Sequence, residues 1–192
     1  MEEIHKLVPQ REYEVIVTNT NRLIRLIQQI LEFRKAETGN LQLQVSKQNL
    51  SHFISQNIES FQPLMKKKQI NISFIDDTLE KETYFDADKL DKILYNLLSN
   101  ALKYNKEGAS VIVSLSYQEE KYARISVSDN GNGLSEKAMK NLFKRFYDGD
   151  FRKFKTTGTG IGLSLVKDLV NLHKGEITVE NHPEEGVNFI IQ

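Results

Sequence analysis

Apolar residues recur at helical intervals over residues 14–34, where EVIVTNTNRLIRLIQQILEFR sets Ile16, Leu23 and Ile30 seven apart with Leu26 and Phe33 as a partner seam. Ile27, Leu31 and Arg34 fall near the same spacing. A stripe this narrow suits a bundle or coiled coil with another helix, or packing on the helix's own domain. Thr38-Gly39-Asn40 predicts the stop. LQLQV (41–45) alternates like a short strand or extended linker, and the pattern sets a domain boundary near residue 46. Beyond it, residues 48–65 put Leu50, Phe53, Ile54, Ile58, Phe61 and Leu64 on one helical face, with Pro63 expected to kink or thin the last turn. INISFID (70–76) alternates as a strand, and residues 86–104 carry a strong helical stripe from Leu90 to Leu102. Strands follow at 110–117 and 123–129, then a polar, basic, glycine-containing stretch from 130 to 160. A helix is predicted over 161–173 with Gly175 at its C′ position, and a hairpin of EITVE and VNFIIQ closes the pattern. Helices and antiparallel-looking strands mix without strict βαβ alternation, which predicts one sheet with helices on one face, an α+β two-layer sandwich.

Bulk composition narrows the function classes. The 26 basic and 26 acidic residues cancel, which argues against a uniformly basic nucleic-acid surface. With 39% apolar and 27% charged residues the chain reads as a soluble globular protein. No apolar run approaches the roughly 18 residues of a membrane span, and MEEIH does not read as a secretory leader. The absence of cysteine excludes disulfides and thiolate metal sites, and fits a reducing compartment.

The chemistry gathers in four segments. In KTTGTGIGLSLV, Gly158, Gly160 and Gly162 precede an apolar helical run. They match neither GxxxxGK[ST], since Leu163 follows Gly162, nor GxGxxG after a buried strand. Free N–H groups at that helix start favour phosphate by about 0.3–1 kcal/mol per charge. NLLSNALKY (96–104) sets Asn96, Asn100, Lys103 and Tyr104 in one helical stripe. An amide oxygen there is a hard ligand of the kind Mg²⁺ takes alongside substrate phosphates, the alternative being a solvated helix edge. DNGNG (129–133) ends a strand with Asp129, placed to accept from an exocyclic amine such as that of adenine, and is equally a good turn sequence. LFKRFYDGDFRKFK (142–155) interleaves four phenylalanines with five basic residues. It suits a segment closing over an anionic nucleotide, or a surface helix tucking its phenylalanines into the core.

In this order, NLLSNALKY, DNGNGL, FKRFY and GTGIGLSLV resemble the N, G1, F and G2 boxes of the sensor histidine kinases, and the likeness runs over about 47–192. The stretch NTNRLIRLIQQILEFRKAETGNLQL is similar to the second helix of that family's dimerisation domain and its linker, in the style of hybrid sensors. The resemblance implies a Bergerat-type ATP-binding sandwich over 47–192, preceded over 1–46 by a long helix and linker of a partial dimerisation domain. It implies that Asn100 holds Mg²⁺ on the ATP phosphates with Asn96 a turn earlier, and that Lys103 and Tyr104 approach phosphate and ribose. It gives Asp129 the adenine amino group, with Gly131 and Gly133 making room for the ring. Thr157, Gly158, Thr159, Gly160, Ile161, Gly162 and Leu163 form the second glycine segment, whose glycines hinge the closing segment and expose N–H groups to phosphate.

The hydrolysing relatives of that family place a glutamate one turn before the magnesium asparagine to activate water. Asn96 stands there in this chain, and a carboxamide is no general base. The implied activity is therefore protein-histidine kinase, with an ATPase of the gyrase or chaperone class and a non-catalytic interaction module as alternatives. The chain departs from the pattern at Asp148, where such kinases often carry an arginine, leaving Arg145 or Arg152 to substitute. It also departs at the acceptor, since none of His5, His52, His173 and His182 stands in an HE[LF]RTP box. The expectation is a catalytic domain whose acceptor helix lies elsewhere. Its implied partners are a second copy, forming a homodimer through the first helix, and a response-regulator receiver domain. Its expected location is cytoplasmic, tied to a membrane only through segments upstream.

Overall fold

The computed structural model describes residues 10–78, 81–118, 122–147, 160–182 and 186–192. They form two compact units that divide between Leu41 and Gln42.

The first unit is one helix, α1 (Gln10–Glu37). It ends because Gly39 turns left-handed (φ 68°), bringing Asn40 N–H onto Lys35 O at 2.9 Å, while Thr38 Oγ donates to Arg34 O at 3.0 Å. Ile16, Leu23, Ile27, Ile30 and Leu31 are each at least half exposed.

The second unit is built around a five-stranded sheet in the order β2-β4-β5-β7-β6. Its strands are β2 (Asn71–Asp76), β4 (Ser110–Gln118), β5 (Tyr122–Asp129), β6 (Ile177–His182) and β7 (Gly186–Ile191). A separate ribbon pairs β1 (Ser46–Asn49) with β3 (Glu82–Phe85), so the first strand starts just after LQLQV. The strands look antiparallel in sequence, yet β2 runs parallel to β4, because α3 (Ala87–Tyr104) lies between them as a crossover. The remaining sheet pairs are antiparallel. Alternate residues Val111, Val113, Leu115, Ile125 and Val127 are buried on one sheet face. The helices bury Leu94, Leu97 and Leu98 of α3, Ile54 and Met65 of α2 (Leu50–Lys67), and Leu165 and Leu169 of α5 (Gly162–Leu172). A short helix, α4 (Glu136–Asn141), breaks the stretch 130–160 that carries no helical pattern in the sequence.

Local chemistry sets the ends. Asp86 caps α3, its Oδ1 accepting from Lys89 N–H at 3.1 Å, and its Oδ2 accepts from Gln44 N–H at 2.7 Å. Pro63 lies inside α2, which nonetheless continues to Lys67. The carbonyl left short of a donor belongs to Glu59, which is exposed and open to water. At the end of α5 the left-handed position falls on Lys174 (φ 61°) rather than on Gly175. Gly175 is needed one residue later, where a Cβ would run into the carbonyl of Gln192.

Candidate functional site

The apolar face of α3 is buried, and its polar edge carries the candidate residues. Asn96 is itself buried, with Nδ2 donating to Lys92 O at 2.7 Å. Its Oδ1 faces the start of α5, where a Cβ on Gly162 would stand 2.6 Å away. Two segments 66 positions apart in sequence thus meet, and glycine is required for the approach. Asn100, one turn on, is half-buried, and its carboxamide has no hydrogen-bond partner among the described residues. Lys103 Nζ donates to Tyr104 Oη at 2.9 Å and lies 4.6 Å from the centre of that ring.

Asp129 ends β5 on the core face, in register with Val111 on one side and Val187 on the other. Burial pushes its carboxyl up, opposed by hydrogen bonding from Gly131 N–H (2.9 Å to Oδ1), from the Asn105 side chain and from the Val187 backbone. Asn105, just past α3, donates Nδ2 to Ala101 O at 2.9 Å, while its buried Oδ1 has no hydrogen-bond partner among the described residues. A Cβ on Gly131 would collide with Asn105 Oδ1 and stand 2.9 Å from Asp129 Oδ1. A flat ligand reaching Asp129 therefore meets backbone rather than side chains at Gly131.

The second glycine segment is partly in view. Gly160 is left-handed (φ 66°), and a Cβ there would stand 2.7 Å from Phe146 C. Phe146, also left-handed (φ 58°), donates its N–H to Gly160 O at 3.0 Å, so the chain before and after 148–159 is joined at a neck. Thr157, Gly158 and Thr159 lie outside the described residues, as does Asp148. Ile161 is buried core, and Leu163 is half-buried. Among the described residues no side chain caps the start of α5, and Ser164 Oγ donates back to Ile161 O at 2.8 Å. No described side chain therefore covers the N–H groups and positive dipole of that start. Arg145 reaches Asp168 of α5, Nη2 to Oδ2 3.8 Å. Phe146 is exposed rather than tucked into the core.

Three positioning contacts are invisible to motif reasoning. Asn181 of β6 clamps the backbone of Leu134, Gly186 of β7 leaves room for the carbonyl of Asp129, and Lys68 Nζ donates to Leu102 O (2.6 Å) and Asn105 O (2.8 Å). Of the histidines, His173 is engaged in the fold, with Nδ1 against Leu169 O at 2.8 Å, while His52 and His182 are exposed and His5 lies outside the described residues.

Residues 85–192 match the family described as Histidine kinase-, DNA gyrase B-, and HSP90-like ATPase. Histidine kinase P4 of Formosa agariphila is 31% identical over 179 residues, which take in 91% of this chain and 13% of that protein. Sensor histidine kinase WalK of Bacillus subtilis is 34% identical over 189 residues, 96% of this chain and 30% of WalK. The chain thus spans less than a third of the length of these curated relatives. Among solved structures, full-length ShkA in complex with AMPPNP superposes with a TM-score of 0.81 at 24% identity, covering 95% of this chain and 38% of ShkA. Histidine kinase ThkA in complex with the response regulator protein TrrA gives 0.69 at 25% identity, covering 96% of this chain and 51% of ThkA.

Proposed function

The chain belongs to the histidine kinase-, DNA gyrase B- and HSP90-like ATPase family, as a sensor histidine kinase catalytic domain, and from that premise we propose that it binds ATP with Mg²⁺ and presents the γ-phosphoryl group to a histidine on another helix. The product phosphohistidine then passes its phosphoryl group to an aspartate of a response-regulator receiver domain, the partner class with which ThkA was solved. The observation that carries transfer over hydrolysis is Asn96. A buried carboxamide, held by Lys92 O and abutting Gly162, occupies the place where a hydrolysing relative needs a base for water.

The remaining residues fall into roles along the nucleotide. Asp129 accepts from the adenine amino group, and Gly131 and Gly133 keep side chains off the ring. Lys103 and Tyr104, already paired, approach phosphate and ribose. The uncapped start of α5, from Gly160 through Ile161, Gly162 and Leu163, offers N–H groups to the phosphates, with Thr157, Gly158 and Thr159 completing that segment. Arg145 stands beside it on Asp168. For the metal, the fit rests on Asn100, whose half-buried carboxamide has an oxygen uncommitted to any described residue. Asn100 would hold Mg²⁺ there, and the ion would supply charge neutralisation for the phosphate oxygens. The exposed apolar stripe of α1 supports a homodimer through that helix. Among the described residues no helix is long and apolar enough to cross a membrane. Working on the cytoplasmic side, where ATP is supplied, follows from the reading.

The test supplies radiolabelled ATP, Mg²⁺ and a chain bearing the acceptor helix. Label should pass to histidine, and Asn100→Ala should abolish it. Transfer persisting in Asn100→Ala would remove the metal assignment. Steady phosphate release without an acceptor would move the chain to the hydrolysing branch.

A further inference from the structure

The segment between Asp129 and Leu134 is fixed at its first end by the sheet. Asn130 N–H donates to Ser110 O at 3.2 Å, and Asn130 Oδ1 accepts from Ser110 N–H at 2.7 Å. Its far end is fixed by one side chain. Asn181 Oδ1 accepts from Leu134 N–H at 2.6 Å, and Asn181 Nδ2 donates to Leu134 O at 2.8 Å. A single carboxamide thus satisfies both backbone groups of the residue after Gly133, which restrains position and orientation together.

Register ties this clamp to Asp129. Asn181 pairs with Val187, and Val187 pairs with Asp129, so the three occupy one row across β6, β7 and β5 on the same sheet face. The same hairpin carries Gly186, where any Cβ would collide with the Asp129 carbonyl. The far end of the segment therefore takes its place from a hairpin that lies outside the four motifs, and the same hairpin flanks Asp129 at the start of the segment.

We propose that Asn181 is a positioning residue for base recognition, holding the Asp129–Leu134 segment where the Asp129 carboxylate meets the exocyclic amine of the base. The inference rests on the reading of Asp129 given above. A shift of the segment would spoil contacts to the ring first, because the phosphate groups are met by α3 and α5.

The experiment measures the affinity of the full chain for non-hydrolysable ATP and GTP analogues by calorimetry, beside thermal melts. GTP presents a carbonyl where ATP presents the amine. Asn181→Leu, close in shape but unable to hydrogen-bond, should weaken the ATP analogue about tenfold, a loss on the scale of one or two such bonds. It should leave the GTP analogue unchanged, so that discrimination collapses. Asn181→Asp keeps the acceptor for Leu134 N–H and loses the donor, and should fall between, which keeps the test available if the leucine variant does not fold. If the parent chain prefers ATP and both variants keep that preference, the inference is overturned even where melting temperature falls. If the parent shows no preference, the reading of Asp129 itself falls and takes the inference with it.

Discussion

At Gly162 a methyl group would stand 2.6 Å from Asn96 Oδ1, so the usual gain from replacing glycine by alanine in a helix is reversed. Gly162→Ala should cost about 1–3 kcal/mol through overpacking, read as a melting temperature lowered by several degrees. Adding Asn96→Ala removes the obstacle, and the double variant should recover much of the loss in a double-mutant cycle. Asp129 makes a second case at this scale. Burial raises its carboxyl in the folded chain, so the folded state carries a penalty once the group ionises. Stability from this group is fully present below the unfolded carboxyl range and is lost as pH rises through the folded value. Asp129→Asn should therefore raise the melting temperature at neutral pH, with a smaller gain in acid, while ATP binding is lost. Melts at two pH values beside calorimetry check both halves.

Among elements, α3 depends on a residue of another helix end. Lys68 follows α2 and brings its ammonium onto the carbonyls of Leu102, Lys103 and Asn105, which α3 leaves without donors. Burial lowers its pKa, the cost of holding a cation there. Lys68→Met should destabilise the chain by about 1–2 kcal/mol in urea unfolding and weaken nucleotide binding, since Lys103 and Tyr104 ride on the end it caps. Nothing in KKKQI marks the third lysine as different from its neighbours, because its partners lie 34–37 positions away. The same distance effect hides Asn181, 47 positions from Leu134. By contrast α1, α2, α3 and α5 and most of the strands are legible, since their burial follows periods of 3.6 or 2 that local residues carry. Helix α4, at six residues, is too short for any period to emerge. Gly175 misleads in an instructive way: glycine is required there by Gln192, while Lys174 bears the left-handed turn.

For the whole molecule, the two units make separate claims. The stripe of Ile16, Leu23, Ile27, Ile30 and Leu31 should drive self-association through α1. Light scattering should record a mass that rises with concentration, and Leu23→Glu with Ile30→Glu should reduce it to one chain without changing ATP affinity. A monomer at every concentration would count against that role. The four motifs are readable in sequence because each is a local run of residues, whereas their meeting depends on the order β2-β4-β5-β7-β6. That order also has a consequence in time. Asp129 is complete as a sequence position well before Gly186, yet β7, which begins at Gly186, sits between β5 and β6. At translation rates of ~5–20 residues per second, the 57 positions from 129 to 186 take roughly 3–11 s. Until β7 is made, the β5 edge that carries Asp129 lacks its partner on that side, so the carboxylate we assign to base recognition gains its final frame only when the β6–β7 hairpin closes the sheet.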